Sequence, residues 1–234
     1  MTLYNKYFNT ETRLLAILID PEKHTDKQLK AFVQKINTSE IDLIFVGSSL
    51  SHRSYDKVIE NIKLETDKPV LLFPGNALQL TPKADALLNL SLISGRNPEL
   101  LIGEHVKSAM LLKKANIEVI PTAYLLIDGG GRTSVEYMSN TQSIPRNKID
   151  IALATAIAGE FLGLKTIYLE AGSGAEKSVP NAMIKTIKEN CSAPIICGGG
   201  IRSKKEIEEK WAAGANIVVV GNAFETNPDF LNDF

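Results

Sequence analysis

A carboxylate followed by several small residues is the feature of this sequence best suited to chemistry. In YLEAGSG, at Tyr168–Gly174, Glu170 stands directly before a run of small residues, and further glycines occur at Gly198–Gly200 and at Gly221. Glycine lets backbone N–H groups approach a phosphate closely, because no side chain intervenes. A single GGG is more often only a tight turn, but GGGIR and VGN follow successive apolar runs. The pattern therefore predicts a binding site for a phosphorylated small molecule.

Asp20 is a second candidate, since it ends the apolar run LLAILID and stands directly before Pro21. A carboxylate in that position often only organises a turn. It is also suited to Mg²⁺, which keeps several waters and shares substrate phosphates, so that one or two protein groups suffice. The hydroxyls of Ser48 and Ser49 follow the next apolar run and are placed to assist Asp20.

Other common kinds of site are not indicated. No GxxxxGK[ST] sequence is present, so a nucleotide-binding P-loop is not predicted. The histidines and cysteines lack metal-ligand spacing, and no lysine within an apolar run indicates Schiff-base chemistry. We expect packing or surface roles, with reduced cysteines, for His24, His52, His105, Cys191 and Cys197.

The candidates follow apolar runs that have the pattern of strands. Eight such runs, from LLAILID to ANIVVVG, are continuously apolar, which is typical of parallel strands buried on both faces. Capping signals such as Thr25 with Gln28 and Ser203 with Glu206 begin helices between them. The sequence predicts a single α/β domain over residues 1–234, a (β/α)₈ or TIM barrel, with a doubly wound open sheet as the alternative. In a barrel the carboxyl ends of the strands meet at one rim, which would bring the candidates together.

Two departures from a regular barrel are expected. The segment NALQLTPKAD between the third and fourth runs is shorter than the ~12 residues that a crossover helix requires. The third helix should therefore be reduced or replaced by an extended segment. The sequence also ends soon after the eighth run, so we expect a short final helix.

The composition is that of an ordinary globular protein and argues against some partners. The 234 residues carry a formal net charge of -1, and 23% of them are charged. This balance gives no general attraction to nucleic acid or to an anionic membrane. No run approaches the ~18 apolar residues of a membrane span, and no signal-peptide pattern begins the chain. We therefore expect a cytoplasmic protein with no nucleic-acid partner and no transmembrane segment.

The segment NKIDIALATAIAGEFLG should form the helix before the sixth strand. Its apolar residues surround much of the helix, whereas a barrel helix needs only one apolar face. Either the helix packs under neighbouring loops, or it contacts another subunit. The second interpretation predicts only that there is more than one subunit. We expect a homo-oligomer, a dimer or a hexamer.

Taken together, the strand-end motifs are similar to those of one enzyme family. LIDPEK, VGSS, FPGN, SLISGRNP, PTAYLLIDGG, YLEAGSG, GGGIR and VGN occur in this order over nearly the whole chain. They closely resemble the geranylgeranylglyceryl phosphate synthase family, and specifically the second of its two groups. The resemblance implies a Mg²⁺-dependent prenyltransferase. Such an enzyme joins geranylgeranyl diphosphate to the C3 hydroxyl of sn-glycerol 1-phosphate in ether-lipid biosynthesis and releases diphosphate.

The resemblance also implies roles for individual residues. Asp20 and Ser49 would bind Mg²⁺. Members of the other group carry a lysine two residues before the metal-binding aspartate, where this chain has Leu18, so that cationic contact is not expected here. The glycerol phosphate would be held by Tyr168, Leu169, Glu170, Ala171, Gly172, Ser173, Gly174, Gly199, Gly200, Gly221 and Asn222.

The chemistry of such a reaction suggests a role for Glu170. A diphosphate leaving group needs charge neutralisation, and an allylic cation accepts a weak nucleophile, so the glycerol hydroxyl needs only positioning and proton removal. Glu170 is the candidate base or orienting group. The prenyl chain needs an apolar groove, which a reduced third helix would open. Candidate lining residues are Leu78, Leu80, Tyr124 and Tyr137, with core packing as the alternative for each.

Two other functions fit a phosphate site without the resemblance. A phosphosugar isomerase or cyclase would need acid and base groups at opposed strand ends, where Asp20, Asp128 and Glu170 are the available carboxylates. A non-catalytic phosphate-binding scaffold would need none of them. The combination of Asp20, Ser49 and Glu170 weighs against the scaffold.

Overall fold

The computed structural model describes residues 1–221, which contain a closed barrel of eight parallel strands. Each strand pairs with the next along the chain, and β8 pairs with β1. This confirms the predicted (β/α)₈ barrel, whereas Asn222 and the expected final helix lie outside the described residues. The strands are β1 (Leu14–Ile19), β2 (Leu43–Val46), β3 (Val70–Leu72), β4 (Ala86–Leu92), β5 (Glu118–Leu126), β6 (Thr166–Glu170), β7 (Ile195–Gly198) and β8 (Ile217–Val220).

Helices follow most of the strands. The predicted caps are present at Thr25 and Ser203, whose side chains each accept a hydrogen bond from the backbone N–H three residues on. Such a bond satisfies one of the unpaired N–H groups at the start of a helix and defines where it begins. No helix within residues 1–221 is long and apolar enough to cross a membrane. The helices are α1 (Asp26–Asn37), α2 (Tyr55–Lys63), α3 (Glu104–Ala115), α4 (Ser134–Ser139), α5 (Ile149–Phe161), α6 (Asn181–Asn190) and α7 (Lys204–Ala213).

The sheet separates two apolar layers. Successive side chains of a strand point to opposite faces, so that in β1 Ala16 packs inside the barrel while Leu15 and Ile17 pack against the helices. At the amino-terminal end of the barrel, the helical turn Tyr4–Phe8 packs the fully buried Phe8 into the interior layer. The carboxyl-terminal end of the barrel is therefore the open one.

The connection between β3 and β4 lacks an α-helix and contains only a 3₁₀ turn, Ala77–Gln79. The buried Gln79 side chain donates to the Ser48 carbonyl at 2.7 Å and accepts from the Gly75 N–H at 2.9 Å. These bonds hold the turn against the neighbouring loop. Part of the outer face of β4, at Leu87, is left facing a cavity. The predicted reduction of the third helix is confirmed.

Candidate active site

A cavity of ≈ 1210 Å³ opens at the carboxyl-terminal rim of the barrel, and residues at or after the ends of all eight strands contribute to its walls. This is the rim where barrels of this kind carry their active sites. The cavity also reaches the outer face of β4, where Leu87 and Asn89 line it together with His105 and Ser108 of α3. It therefore joins a polar rim to a passage beside the connection that lacks a helix.

The end of β6 presents alternate residues to this cavity. Tyr168 and Glu170 line it, while Leu169 and Ala171 pack into the layer between the sheet and the helices. The two-residue period of a strand produces this division. The expectation that Leu169 and Ala171 bind the glycerol phosphate is corrected, because neither lines the cavity. Moreover, the Ala171 N–H already donates to the Gly198 carbonyl at 3.0 Å.

Glu170 is buried, with 6% of its surface exposed. Its Oε1 accepts a hydrogen bond from the Gly172 N–H at 2.6 Å. Burial raises the pKa of the Glu170 carboxyl to about 7, against the opposing effects of that hydrogen bond and of the nearby Tyr168 hydroxyl. A carboxyl with a pKa near neutrality can take up or release a proton at physiological pH, as a general base or acid must.

Three aromatic rings meet where the barrel interior joins the cavity. The ring centroid of Tyr168 lies 5.1 Å from that of Phe73 and 5.4 Å from that of Tyr124. The Tyr168 hydroxyl is buried and makes no hydrogen bond of normal geometry within residues 1–221, although it lies close enough to Glu170 to influence its pKa. Burial raises the pKa of the Tyr124 and Tyr168 hydroxyls well above the ordinary value, so both side chains remain neutral. Phe73 was not predicted, because nothing in FPGN distinguishes a residue of the cavity wall.

Glycines after β6 and β7 form part of the cavity wall. Gly172 and Gly199 have φ angles of +98° and +83°, a conformation that side chains disfavour. A Cβ at Gly199 would collide with the Glu170 carboxylate, and a Cβ at Gly172 would collide with Thr133. The N–H groups of Gly199 and Gly200 have no hydrogen-bond partner among residues 1–221. Unpaired N–H groups beside a cavity are suited to binding phosphate.

Ser173, Gly174 and Gly221 also line the cavity. Leu18 lies beside Gly221, since the Leu18 carbonyl and Cβ would be 3.7 and 3.8 Å from a Cβ placed at Gly221. The cavity wall near the end of β1 is therefore apolar at Leu18.

Three cations hold the loop that follows the β6 glycines by donating to its backbone carbonyls. Lys210 is the most buried, at 4% exposure, and this burial lowers its pKa. Charge-assisted bonds limit the rotation of the peptide groups, so they help to fix the loop. The sequence interpretation missed these residues, although Lys210, three positions after the buried Ile207, is a detectable break in the apolar face of α7. The bonds run from Arg202 to the carbonyls of Ala175 (2.6 Å) and Glu176 (3.1 Å), from Arg146 to that of Ser178 (3.2 Å), and from Lys210 to that of Val179 (2.6 Å).

Asp20 follows β1 and lines the cavity. Its Oδ1 accepts from the Glu22 N–H at 3.0 Å, as in a turn, and its Oδ2 accepts from the Ser48 hydroxyl at 3.3 Å. Ser49 lines the cavity nearby. Within residues 1–221 there is no cluster of three or more His, Cys, Asp or Glu suited to a metal. A carboxylate with serine oxygens nevertheless suits Mg²⁺, which takes its remaining ligands from water and substrate.

The apolar part of the cavity is lined by Leu80, Leu87 and Tyr124, and Tyr137 lies at its exposed edge. The expectation for Leu78 is wrong, because its side chain is 93% exposed and does not line the cavity. A 3₁₀ turn has three residues per turn, so Leu80 shares a side with the residue three positions earlier, and Leu78 points elsewhere.

Asp128 and His105 do not join the polar site. Asp128 does not line the cavity, and its Oδ1 accepts from the Gly130 N–H at 2.8 Å. This removes one of the carboxylates that an isomerase or cyclase could have used. The His105 Nε2 lies 2.9 Å from the Leu90 carbonyl, so the ring is part of the wall, consistent with the packing role expected for it.

The chain is similar to known proteins over nearly its whole length. The model of the PcrB family matches residues 8–234. A geranylgeranylglyceryl phosphate synthase of Chitinophaga pinensis is 46% identical over 235 residues, which cover 99% of this chain and 93% of that protein. One of Korarchaeum cryptofilum is 40% identical over 232 residues, covering 99% and 95%. The crystal structure of (S)-3-O-geranylgeranylglyceryl phosphate synthase from Thermoplasma acidophilum, in complex with its substrate sn-glycerol-1-phosphate, aligns with a TM-score of 0.93 at 31% identity, covering 99% and 95%.

Proposed function

The chain belongs to the PcrB family, and from this premise we propose that it is a geranylgeranylglyceryl phosphate synthase. This enzyme is a prenyltransferase that joins geranylgeranyl diphosphate to the C3 hydroxyl of sn-glycerol 1-phosphate and releases diphosphate. The observation that carries the proposal is the single cavity that combines glycine-lined walls with an apolar groove. These two parts match the polar acceptor and the long apolar donor of the reaction.

The glycerol phosphate binds at the glycines after β6 and β7. Gly199 and Gly200 line the cavity, and their N–H groups, which have no partner among residues 1–221, suit the phosphate oxygens. Gly172 and Gly174 belong to the same wall, next to Glu170. In this arrangement, a glycerol phosphate anchored by its phosphate can extend its C3 hydroxyl towards the Glu170 carboxylate.

Glu170 accepts the proton of that hydroxyl. The bond between the allylic carbon and the diphosphate oxygen breaks, and its electron pair leaves with diphosphate. The C3 oxygen forms the new ether bond to the allylic carbon, and its proton passes to Glu170. The carboxyl has a pKa of about 7, so a large fraction is ionised and ready to accept a proton at neutral pH. The Gly172 N–H fixes Oε1, which helps to orient the base.

We propose that Asp20 and Ser49 hold Mg²⁺, with Ser48 orienting Asp20. The Ser48 hydroxyl lies within hydrogen-bond distance of both Asp20 Oδ2, at 3.3 Å, and the Leu50 carbonyl, at 2.9 Å, so it can donate to either. Ser49 also lines the cavity. When bound, Mg²⁺ supplies positive charge that stabilises the departing diphosphate. The chain's own contribution is to keep the oxygens of Asp20 and Ser49 at the cavity wall.

The prenyl chain occupies the groove beside the connection without a helix. Leu80 and Leu87 provide apolar walls, α3 forms the far side, and Tyr124 lies where the cavity meets the barrel interior. Burial of an apolar chain is favourable by ~25 cal/mol per Å², so a groove of this kind supplies much of the affinity for the donor.

A direct assay tests the proposed function. The protein is incubated with Mg²⁺, labelled sn-glycerol 1-phosphate and a series of prenyl diphosphates, and the mixture is extracted into organic solvent. We expect label in the organic phase with geranylgeranyl diphosphate, and none when the donor is omitted. Absence of lipid-soluble label with every donor would refute the prenyltransferase function.

We also propose a homo-oligomer, a dimer or a hexamer, formed through α5. Ala152 and Ala156 face the barrel, while Ile151 is exposed and Phe161 is 87% exposed at the end of the helix. A second copy of the chain would cover these apolar side chains. Phe161→Glu should lower the mass measured by light scattering towards that of a monomer. An unchanged mass, or a monomeric unmodified protein, would contradict this proposal.

A further inference from the structure

The cavity is lined by three lysine or arginine side chains within residues 1–221, namely Lys23, Arg132 and Arg202. Arg202 donates to two loop carbonyls, and Lys23 lies in the turn after Asp20. Arg132 differs, because it has no hydrogen-bond or ion-pair partner among the described residues for its guanidinium group. Its guanidinium carbon lies 5.7 Å from the centroid of the exposed Tyr137 ring, in a cation–π contact. It is therefore a charged donor beside the cavity that makes no hydrogen bond to any residue from 1 to 221.

The segment around Arg132 is docked on the glycine loop after β6. The Gly129 carbonyl accepts from the Lys177 N–H at 2.9 Å. The Thr133 methyl group lies against Gly172, where it would collide with any added Cβ. Arg132 directly precedes Thr133, so its backbone lies close to Gly172, and its side chain lines the same cavity.

We propose that Arg132 binds the phosphate group of the acceptor held at the glycines after β6 and β7, a role that rests on the function proposed above. A phosphate monoester brings up to two negative charges, and backbone N–H groups carry no net charge to balance them. A guanidinium group offers planar paired donors that match phosphate oxygens. Leu18, on the wall beside Gly221, is apolar and offers no charge to the phosphate at that position.

The contact with Tyr137 keeps the Arg132 side chain beside the cavity when no phosphate is bound. A cation–π contact at an exposed ring is weaker than a charge-assisted hydrogen bond to phosphate. An arriving phosphate therefore draws the guanidinium from the ring to its oxygens. Arg132 acts on binding of the acceptor and makes no contact that favours the donor chain.

Calorimetry with sn-glycerol 1-phosphate alone tests this role without requiring turnover. Arg132→Met and Arg132→Lys are compared with Arg13→Met, which removes an exposed arginine that does not line the cavity. Loss of a charge-assisted hydrogen bond should raise the Kd about tenfold or more in Arg132→Met. Arg132→Lys should recover part of the affinity, and Arg13→Met should bind like the unmodified protein. Circular dichroism melting confirms that each variant is folded.

Steady-state kinetics then separate the acceptor from the donor. We expect Arg132→Met to raise the KM for glycerol phosphate and to leave the KM for prenyl diphosphate within about twofold. Unchanged acceptor affinity, or an effect confined to prenyl diphosphate, would overturn the inference. If the unmodified protein makes no lipid-soluble product, the proposed function fails, while the calorimetric comparison still decides whether Arg132 contacts the phosphate.

Discussion

The unmodified protein should lose stability as the pH rises, and Glu170→Gln should remove this loss. The same substitution should remove most of the activity. Glu170 is buried, and its pKa is raised to about 7 in the folded state. In the unfolded chain the carboxyl returns to an ordinary pKa of 4.5. Between these two values the folded protein binds more protons than the unfolded chain, so the free energy of unfolding falls as the pH rises.

The pKa is 4.5 in the unfolded chain and about 7 in the folded protein. At ~1.4 kcal/mol per pH unit, the free energy of unfolding falls by ~3 kcal/mol over this interval, and the fall is complete once the pH exceeds the folded pKa. Gln does not titrate, so Glu170→Gln lacks this loss. For a chain of this size, ~3 kcal/mol corresponds to a change in Tm on the order of 5–10 °C. Any fixed cost of the amide shifts the variant equally at every pH and does not alter the slope.

Thermal melting of both proteins between pH 5 and 8 measures the effect. The difference in Tm, variant minus unmodified protein, should increase across this range. Glu208→Gln, at an exposed position of α7, is the matched control and should show no such trend. Parallel curves for Glu170→Gln and the unmodified protein would refute the reasoning, because they would mean that Glu170 has an ordinary pKa.

Activity provides the second measurement on the same variant. Loss of a general base should lower turnover by about 100-fold or more, while the affinity for glycerol phosphate stays nearly unchanged. In the unmodified protein, turnover should fall about tenfold for each pH unit below the pKa of about 7, because only the ionised carboxylate accepts the proton. A variant with full turnover would exclude Glu170 as the base.

Three further substitutions test other parts of the site. Gly199→Ala should abolish glycerol phosphate binding in calorimetry, because the added Cβ would collide with the Glu170 carboxylate. Gly163→Ala is the control, since Gly163 has a similar φ of +82° and no atom within 4 Å of an added Cβ. It should lose only ~1 kcal/mol of stability and keep its activity. Lys210→Met should lower the free energy of unfolding in urea by ~1–3 kcal/mol, because it leaves buried acceptors unpaired; equal stability would contradict this. Ser49→Ala should raise the Mg²⁺ concentration for half-maximal activity more than Ser48→Ala does, and the reverse order would exchange their roles.

The architecture was predictable because its signals are local. Continuous apolar runs indicate parallel strands, and the short NALQLTPKAD segment leaves no room for a full helix. The orientation of Leu78 was not predictable, because it depends on how the buried Gln79 bonds to Ser48 in the neighbouring loop. That contact is between residues distant in sequence, and spacing carries no signal for it.

Residue type alone predicted that glycines stand at the strand ends that line the cavity, but it did not predict the surroundings of individual side chains. Glycines at strand ends indicated a phosphate site, but the raised pKa of Glu170 follows from its burial, which no local pattern measures. Phe73 was missed for the same reason. Arg202 and Lys210 act through the carbonyls of another loop, which the fold brings to them.

Because no α-helix connects β3 to β4, a bound ligand could take the place of one in the hydrophobic core. Part of the outer face of β4, at Leu87, faces the cavity in the place where a helix after β3 would lie. An apolar guest in that cavity would occupy the place of the missing layer and touch the same side chains that a helix would. Ligand and protein would then share one hydrophobic core, so that the bound lipid serves as a replaceable piece of the wall.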